Sequence, residues 1–260
     1  MQRALSKGSI EPLIPWILPV ILLILWQLLV KLGWLSTRVL PAPSDVVVAG
    51  VRLALTGELS RNLIISTIRA IVGFLIGGSI GFGLGLLNGI ARPAEKALDT
   101  SVQMIRNIPH LALIPLVILW FGIGEEAKIF LVALGVFFPI YLNTFHGVRT
   151  VDPQLIEMAK SYGLKGWSLF RKVIFPGALG SILVGVRYAL GIMWLTLIVA
   201  ETITLDSGIG YMAMNAREFM QTDVVVLSIL MYAILGKLAD SVTRAFEKKW
   251  LKWDPNYQSV

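Results

Sequence analysis

The sequence has no cysteine and only two histidines, His110 and His146. Disulfides, thiol catalysis and cysteine metal sites are excluded, and little is left for zinc or haem. Charge is scarce too: Asp, Glu, Lys and Arg make up 15% of the 260 residues, against about 25% in soluble domains. Hydrophobic residues reach 56% and mean hydropathy is +0.75. Such a composition fits neither a water-soluble globule nor a disordered chain. What remains is an all-α polytopic membrane protein, with the lipid bilayer as its surroundings. The net charge of +7 belongs to cytoplasmic loops rather than to a nucleic-acid surface. There is no low-complexity segment and no clear internal repeat.

A membrane span needs roughly 20 apolar residues. The first candidate lies between Glu11 and Lys31 and carries no charge. Its apolar core is too long for a signal peptide, and Lys31-Leu32-Gly33-Trp34 follows instead of a small-residue cleavage site. Further spans are predicted between Arg69 and Arg92, Arg106 and Glu125, and Lys128 and Arg149. A fifth covers about Ala178 to Thr202, and a sixth runs from Asp223 past Lys237. Six spans place both termini on one side. With that side inside, inner segments hold fourteen Lys and Arg against six in the outer ones, so both ends are cytoplasmic. The predicted division is a cytoplasmic tail over 1–11, a transmembrane domain over 12–250 and a second tail over 251–260. Between the first two spans, Ser44 is expected to cap an amphipathic helix, Val46 to Leu55, lying along the outer interface.

The spans carry unusual residues. Gly73, Gly77, Gly81, Gly85 and Gly89 form a stripe with a four-residue repeat, which lets another helix backbone approach closely. It suits either packing within one subunit or a seam between subunits. Arg187 and Glu201 lie fourteen residues apart on the fifth span, roughly 21 Å, so they cannot pair directly. Arg187, in the inner half, could meet an anion, pair with another helix or reach the interface. Glu201 is expected near the outer interface. With Asn143 and Thr196 they are the candidates for a substrate path. Lys237 and Asp240, three apart, are expected to neutralise one another. Asn107, His110 and His146 are further polar residues near span ends.

Several enzyme patterns fail. Gly208-Ile209-Gly210-Tyr211-Met212-Ala213 has the letters of a dinucleotide fingerprint but lies in an outer loop with no βαβ unit around it. Gly236-Lys237 lacks the first glycine of a phosphate loop, because Met231 stands there. No metal cluster or serine triad is present, so the chain has no catalytic residue and binds no cofactor of its own.

The cytoplasmic loop over 149–177 is the most informative segment. Asp152 suits a helix N-cap, Pro153 the first turn, and Gly163 the stop. Leu155, Ile156, Met158, Ala159 and Tyr162 form an apolar face between them. Ser168 can begin a second short helix toward Phe175-Pro176. A helix of this kind either lies on the membrane or fits a groove on a soluble partner.

Glu157-Met158-Ala159, Gly163 and Val173-Ile174-Phe175-Pro176 resemble the EAA loop of permease subunits of bacterial ATP-binding-cassette importers. Met158, Val173 and Phe175 depart from that pattern by apolar replacements only. Almost the whole chain, about Trp16 to Tyr257, is similar to the aliphatic sulfonate members of that family. The carrying stretches are Arg106 to Ile123, Trp194 to Ile203 and Gly208 to Phe219. The resemblance implies a type I permease fold and residence in the bacterial inner membrane. It also implies a homodimer, two cytoplasmic ATPase subunits that use ATP and Mg, and a periplasmic or lipid-anchored binding protein. Glu157, Ala159 and Gly163 would then belong to the ATPase-coupling surface, with Pro176 starting the next helix. Taurine, nitrate or another small anion is the alternative cargo. A gradient-driven carrier, with Glu201 cycling a proton, is the rival mechanism.

Overall fold

The computed structural model describes residues 14–203 and 207–252, and side chains within the first helix from residue 17 onward. The predicted tails over 1–11 and 251–260 lie outside the described residues, save Leu251 and Lys252. Every regular element among the described residues is helical. Helix α1 (Ile14–Lys31) is followed by α2 (Pro43–Leu55), α3 (Glu58–Ile90) and α4 (Arg92–Arg106). A 3-10 turn (His110–Leu113) leads into α5 (Ile114–Phe121) and α6 (Glu125–Arg149). The chain continues through α7 (Pro153–Ser161), α8 (Gly166–Leu169), a π-helical turn (Phe170–Ile174) and α9 (Phe175–Ile203). It then forms α10 (Ile209–Glu218) and α11 (Thr222–Trp250).

Glycine decides how the central helices meet. A Cβ built at Gly77 would stand 2.0 Å from the Ala133 carbonyl oxygen, and one at Gly81 2.5 Å from that of Phe137. Gly73, Gly85 and Gly89 press on Val132, Thr144 and Val148 in the same way. The stripe is therefore an internal seam between α3 and α6. On its other side α6 meets α9, where Gly185 touches Asn143 and Gly147 touches Ser181. Val132, Val136 and Ile140 of α6 join Ala189, Met193 and Leu197 of α9 in the core. Val46, Ala49 and Leu53 of α2 and Val224 and Leu227 of α11 close it. Apolar residues left outside, such as Ile64, Ile68, Ile71 and Leu75 of α3, suit a lipid surface.

Several boundaries differ from expectation. Helix α3 begins at Glu58, not after Arg69, so Arg69 is one of its buried residues. Helix α2 is capped at Ala42, whose N–H donates to Asp45 at 3.3 Å. Ser44 instead bonds Gln27 of α1. The third span is broken: α4 and the segment His110–Phe121 are bent by 81°. Pro109 explains the break, since it lacks an N–H and drives Ile108 out of helical geometry. The two pieces together climb along α6. Glu95 pairs with Arg149 at its C-terminal end, the Tyr141 hydroxyl donates to Asp99 at 2.9 Å, and Val117 packs on Ala127 and Leu131 near its N-terminal end.

The fifth span starts early. Residues Gly166–Ile203 form one helical run, in place of a short helix followed by a span from Ala178. Pro176 cannot donate to the carbonyl four residues back, and the wide turn before it accommodates that loss. There the Phe175 N–H donates to Phe170. Four helices are long and apolar enough to cross a membrane, or five if the bent pair counts as one span. The expected six includes α1, an apolar helix of 18 residues.

Gly77→Val must push α3 from α6 and should destabilise the fold by about 1–3 kcal/mol. Gly83→Ala, where a Cβ meets nothing within 4 Å, should not. Thermal unfolding of both variants in detergent checks this, and equal midpoints would count against the seam.

Candidate functional site

The loop helix α7 is built by local chemistry. Asp152 accepts from the Gln154 N–H at 2.8 Å, which satisfies one donor of the first turn. At the other end Gly163 has φ +83°, a conformation that favours glycine. Its N–H donates to Lys160 at 2.9 Å, and that of Leu164 to Ala159 at 3.0 Å. This pair of bonds is a Schellman stop.

The apolar face of α7 is split. Ala159 is buried, and Ile156 packs against Val148, Val151, Ala178 and Ile182. Leu155, Met158 and Tyr162 remain 48%, 51% and 81% exposed. A groove of about 510 Å³ runs beside them, lined by Ala159 and Leu164 on one side and Lys172, Val173 and Pro176 on the other. Ala159 and Pro176 thus share this groove, while Glu157 and Gly163 stand exposed. Pro176 is the second residue of α9, inside the continuous helical run rather than at its start.

A second constellation lies at the opposite end of the bundle from α7. Glu201 is fully buried and does not reach the interface. Four donors converge on its carboxylate: Ser66 Oγ and Arg69 Nη1 at 2.8 Å, Tyr232 Oη at 2.9 Å and the Gly210 N–H at 3.0 Å. Arg69 also grips both oxygens of Glu125, to which Lys128 donates at 3.2 Å. Its remaining bonds go to the carbonyl and hydroxyl of Ser207. Two cations match two carboxylates, as buried charge requires.

The glycine pair set aside as a false nucleotide motif belongs here. A Cβ at Gly208 or Gly210 would strike Glu201, at 2.4 and 2.6 Å. The Gly208 and Ile209 N–H groups donate to Asn62 Oδ1 and Ser66 Oγ, each at 2.9 Å. The start of α10 therefore closes on α3 and on the Glu201 carboxylate. Arg69 was missed because it reads as a span boundary. Its one signal was a charge flanked by helix-forming apolar residues on both sides.

The structure does not bring the four pathway candidates together. Arg187 pairs with Glu247 and, at 3.7 Å, with Asp240 of α11. Asp240 also meets Lys237 at 3.6 Å, as expected, and Arg244 at 2.9 Å. Buried Thr196 has its hydroxyl 3.1 Å from His110 Nε2. Asn143 donates to the Pro139 carbonyl of its own helix at 2.9 Å. Near the C-terminal end of α3, buried Asn88 donates to Tyr141 Oη at 2.7 Å, which donates onward to Asp99. Among the described residues no three His, Asp or Glu side chains converge as a metal site would need.

Glu201→Ala leaves Arg69 short of its buried partner and should cost about 3–5 kcal/mol. Tyr232→Phe removes one donor of four and should cost about 1 kcal/mol. Thermal denaturation of the purified variants gives the order. Similar melting temperatures would show that the cluster does not anchor the outer end.

Comparison with known proteins agrees with this architecture. The family model of binding-protein-dependent transport system inner membrane components matches residues 73–252. The chain is 64% identical over 243 residues to the aliphatic sulfonates transport permease protein SsuC of Escherichia coli (strain K12), covering 94% of this chain and 92% of that protein. Identity to the Bacillus subtilis (strain 168) protein of the same name is 48%, over 93% and 88% of the two chains. The crystal structure of an amino acid ABC transporter with histidines matches with a TM-score of 0.62 at 17% identity. It covers 77% of this chain and 97% of its own, a likeness of fold alone. Matched over more than half its length by the family model, and nearly throughout by these relatives, the chain belongs to the binding-protein-dependent transport system inner membrane components and is a transport permease.

Proposed function

We propose that this permease carries aliphatic sulfonates inward across the bacterial inner membrane, driven by ATP hydrolysed on a separate cytoplasmic subunit. The observation that carries the reading is helix α7. It is capped at both ends and pinned by Ala159, yet it leaves Leu155, Met158 and Tyr162 uncovered beside Glu157. Apolar side chains on a cytoplasmic loop suit a groove on a partner protein. Support for the cargo comes from the two relatives named for aliphatic sulfonates. The assembly is a homodimer of six-span subunits with cytoplasmic termini, joined by two ATPases and fed by a periplasmic or lipid-anchored binding protein.

The physics calls for an energy source. A sulfonate carries one negative charge, and moving it into a negative interior costs about 2.3 kcal/mol per 100 mV. In this reading, ATP-driven closure of the partner moves α7. Glu157, Ala159 and Gly163 form the docking surface, and Pro176 marks where its motion enters α9. The continuous run from Gly166 to Ile203 and the short link from Arg149 through Val151 carry that motion to α9 and α6. Thr196 and Asn143 stand beside the path, and Arg187 and Glu201 brace α9 toward its inner and outer ends.

Gly163→Asp tests the coupling. Asp tolerates a left-handed conformation better than most residues, so the variant should fold and insert while uptake is abolished. The assay is ethanesulfonate uptake in proteoliposomes with the cognate ATPase and binding protein. Undiminished ATP-dependent uptake by the variant would remove α7 from the coupling surface. Uptake by the permease alone under a pH gradient would favour a gradient-driven carrier instead. In the same system ethanesulfonate should stimulate ATP hydrolysis more than taurine or nitrate does.

A further inference from the structure

Arg106 does not lie where its sequence position suggests. By hydropathy it marks the inner edge of a span, but in the structure it ends α4 at the break in the bent pair. The depth of that break can be read against α6. The His110 ring lies over Gly135, where a built Cβ would meet its Nε2 at 3.5 Å. Gly135 is ten residues from Glu125 and fourteen from Arg149, about 15 Å and 21 Å along the helix axis. Between Arg106 and His110 the chain cannot stretch far. The Asn107 N–H donates to Met104 at 3.2 Å and the Ile108 N–H to Ile105 at 3.0 Å, a tight turn. Arg106 is thus held within the depth of the bundle.

The cations nearer the two ends of the bundle are matched. Arg69 has Glu125 and Glu201, Lys128 has Glu125, and Arg187 has Glu247 and Asp240. Arg106 is exposed and has no hydrogen-bond or ion-pair partner among the described residues, and its neighbour Asn107 is exposed beside it. A guanidinium facing hydrocarbon is costly, and intramembrane charges face a water-filled cavity or another protein group. In secondary transporters, discontinuous spans hold substrate near the midplane.

We infer that Arg106 is the anion contact of the translocation path, a role that rests on the sulfonate-importer reading. Its planar fork presents paired N–H donors to oxygens of an oxyanion. The sulfonate group of the cargo meets this fork as it passes the break, and Asn107 supplies a neighbouring amide. A cation here also offsets the charge that an organosulfonate brings into the low-dielectric core.

The test uses the complete transporter in proteoliposomes with its ATPase and binding protein, and ethanesulfonate as the probe. Arg106→Gln should lower uptake roughly tenfold to hundredfold, the loss of a hydrogen bond to a charged group. ATP hydrolysis stimulated by the loaded binding protein should stay near that of the parent. Arg106→Lys, which keeps the charge but not the fork, should recover part of the uptake. Unchanged uptake by Arg106→Gln overturns the assignment. So does loss of the assembled complex in that variant, which would make Arg106 a structural contact with another copy or subunit. A parent that carries nitrate rather than ethanesulfonate would sink the cargo reading alone, because the same variants assayed on nitrate still test Arg106.

Discussion

The close backbone approach of α3 and α6 sets the geometry on which the other contacts depend. Five glycines at four-residue intervals leave α3 with a groove and no side chains along one line, and the carbonyl side of α6 lies in it. That approach fixes which polar groups can meet. Arg69 comes within reach of Glu125 beyond one end of the seam, and Asn88 within reach of Tyr141 inside it. In a bilayer, tight van der Waals packing of this kind replaces the hydrophobic drive that holds soluble helices together. With both faces occupied, by α3 on one side and α9 on the other, α6 becomes the reference element of the subunit.

The outer charge cluster adds direction to that packing. Burying Glu201 is expensive unless its oxygens are satisfied, and the four donors come from α3, α10 and α11. Arg69 extends the network to Glu125 at the start of α6. One carboxylate thereby specifies how five helices end. The glycines of α10 are part of the same solution, since any side chain at Gly208 would occupy the space of the Glu201 carboxylate. Such a network contributes less to net stability than to a unique arrangement, because the desolvation of its charges opposes much of their attraction.

What could be read in the sequence was what depends on near neighbours. Asp152, Pro153 and Gly163 encode α7 within twelve residues, and the loop helix forms between them. The glycine stripe announced a close approach, but its partner lies more than fifty residues away and nothing local names it. Arg69 and Glu201 are 132 positions apart. Their pairing depends on the whole bundle, so in the sequence Arg69 reads as a boundary and Glu201 as an interfacial acid. The broken span was masked by averaging. Residues 106–125 are apolar enough for one helix, yet Asn107-Ile108-Pro109 follows the end of α4 and breaks the run. That same averaging assigned Arg106 to the inner edge.

The loop that holds α7 and the break in the third span are connected through a single contact. At one end the loop follows directly from α6, and at the other it runs without interruption through the π-helical turn into α9. Those two helices meet again at Gly135 and Thr196, where a Cβ on Gly135 would press on the Thr196 hydroxyl at 2.8 Å. His110 bonds to that hydroxyl and lies over the same glycine. Any change in the angle between α6 and α9 therefore alters the seat of His110. Because a tight turn ties His110 to the end of α4, it also shifts Arg106. The π-helical turn sits between the loop and α9, and such turns inside α-helices are frequent at functional sites. In the proposed coupling, motion of α7 would pass through the paired helices to the discontinuity that carries Arg106, a cation without a partner among the described residues.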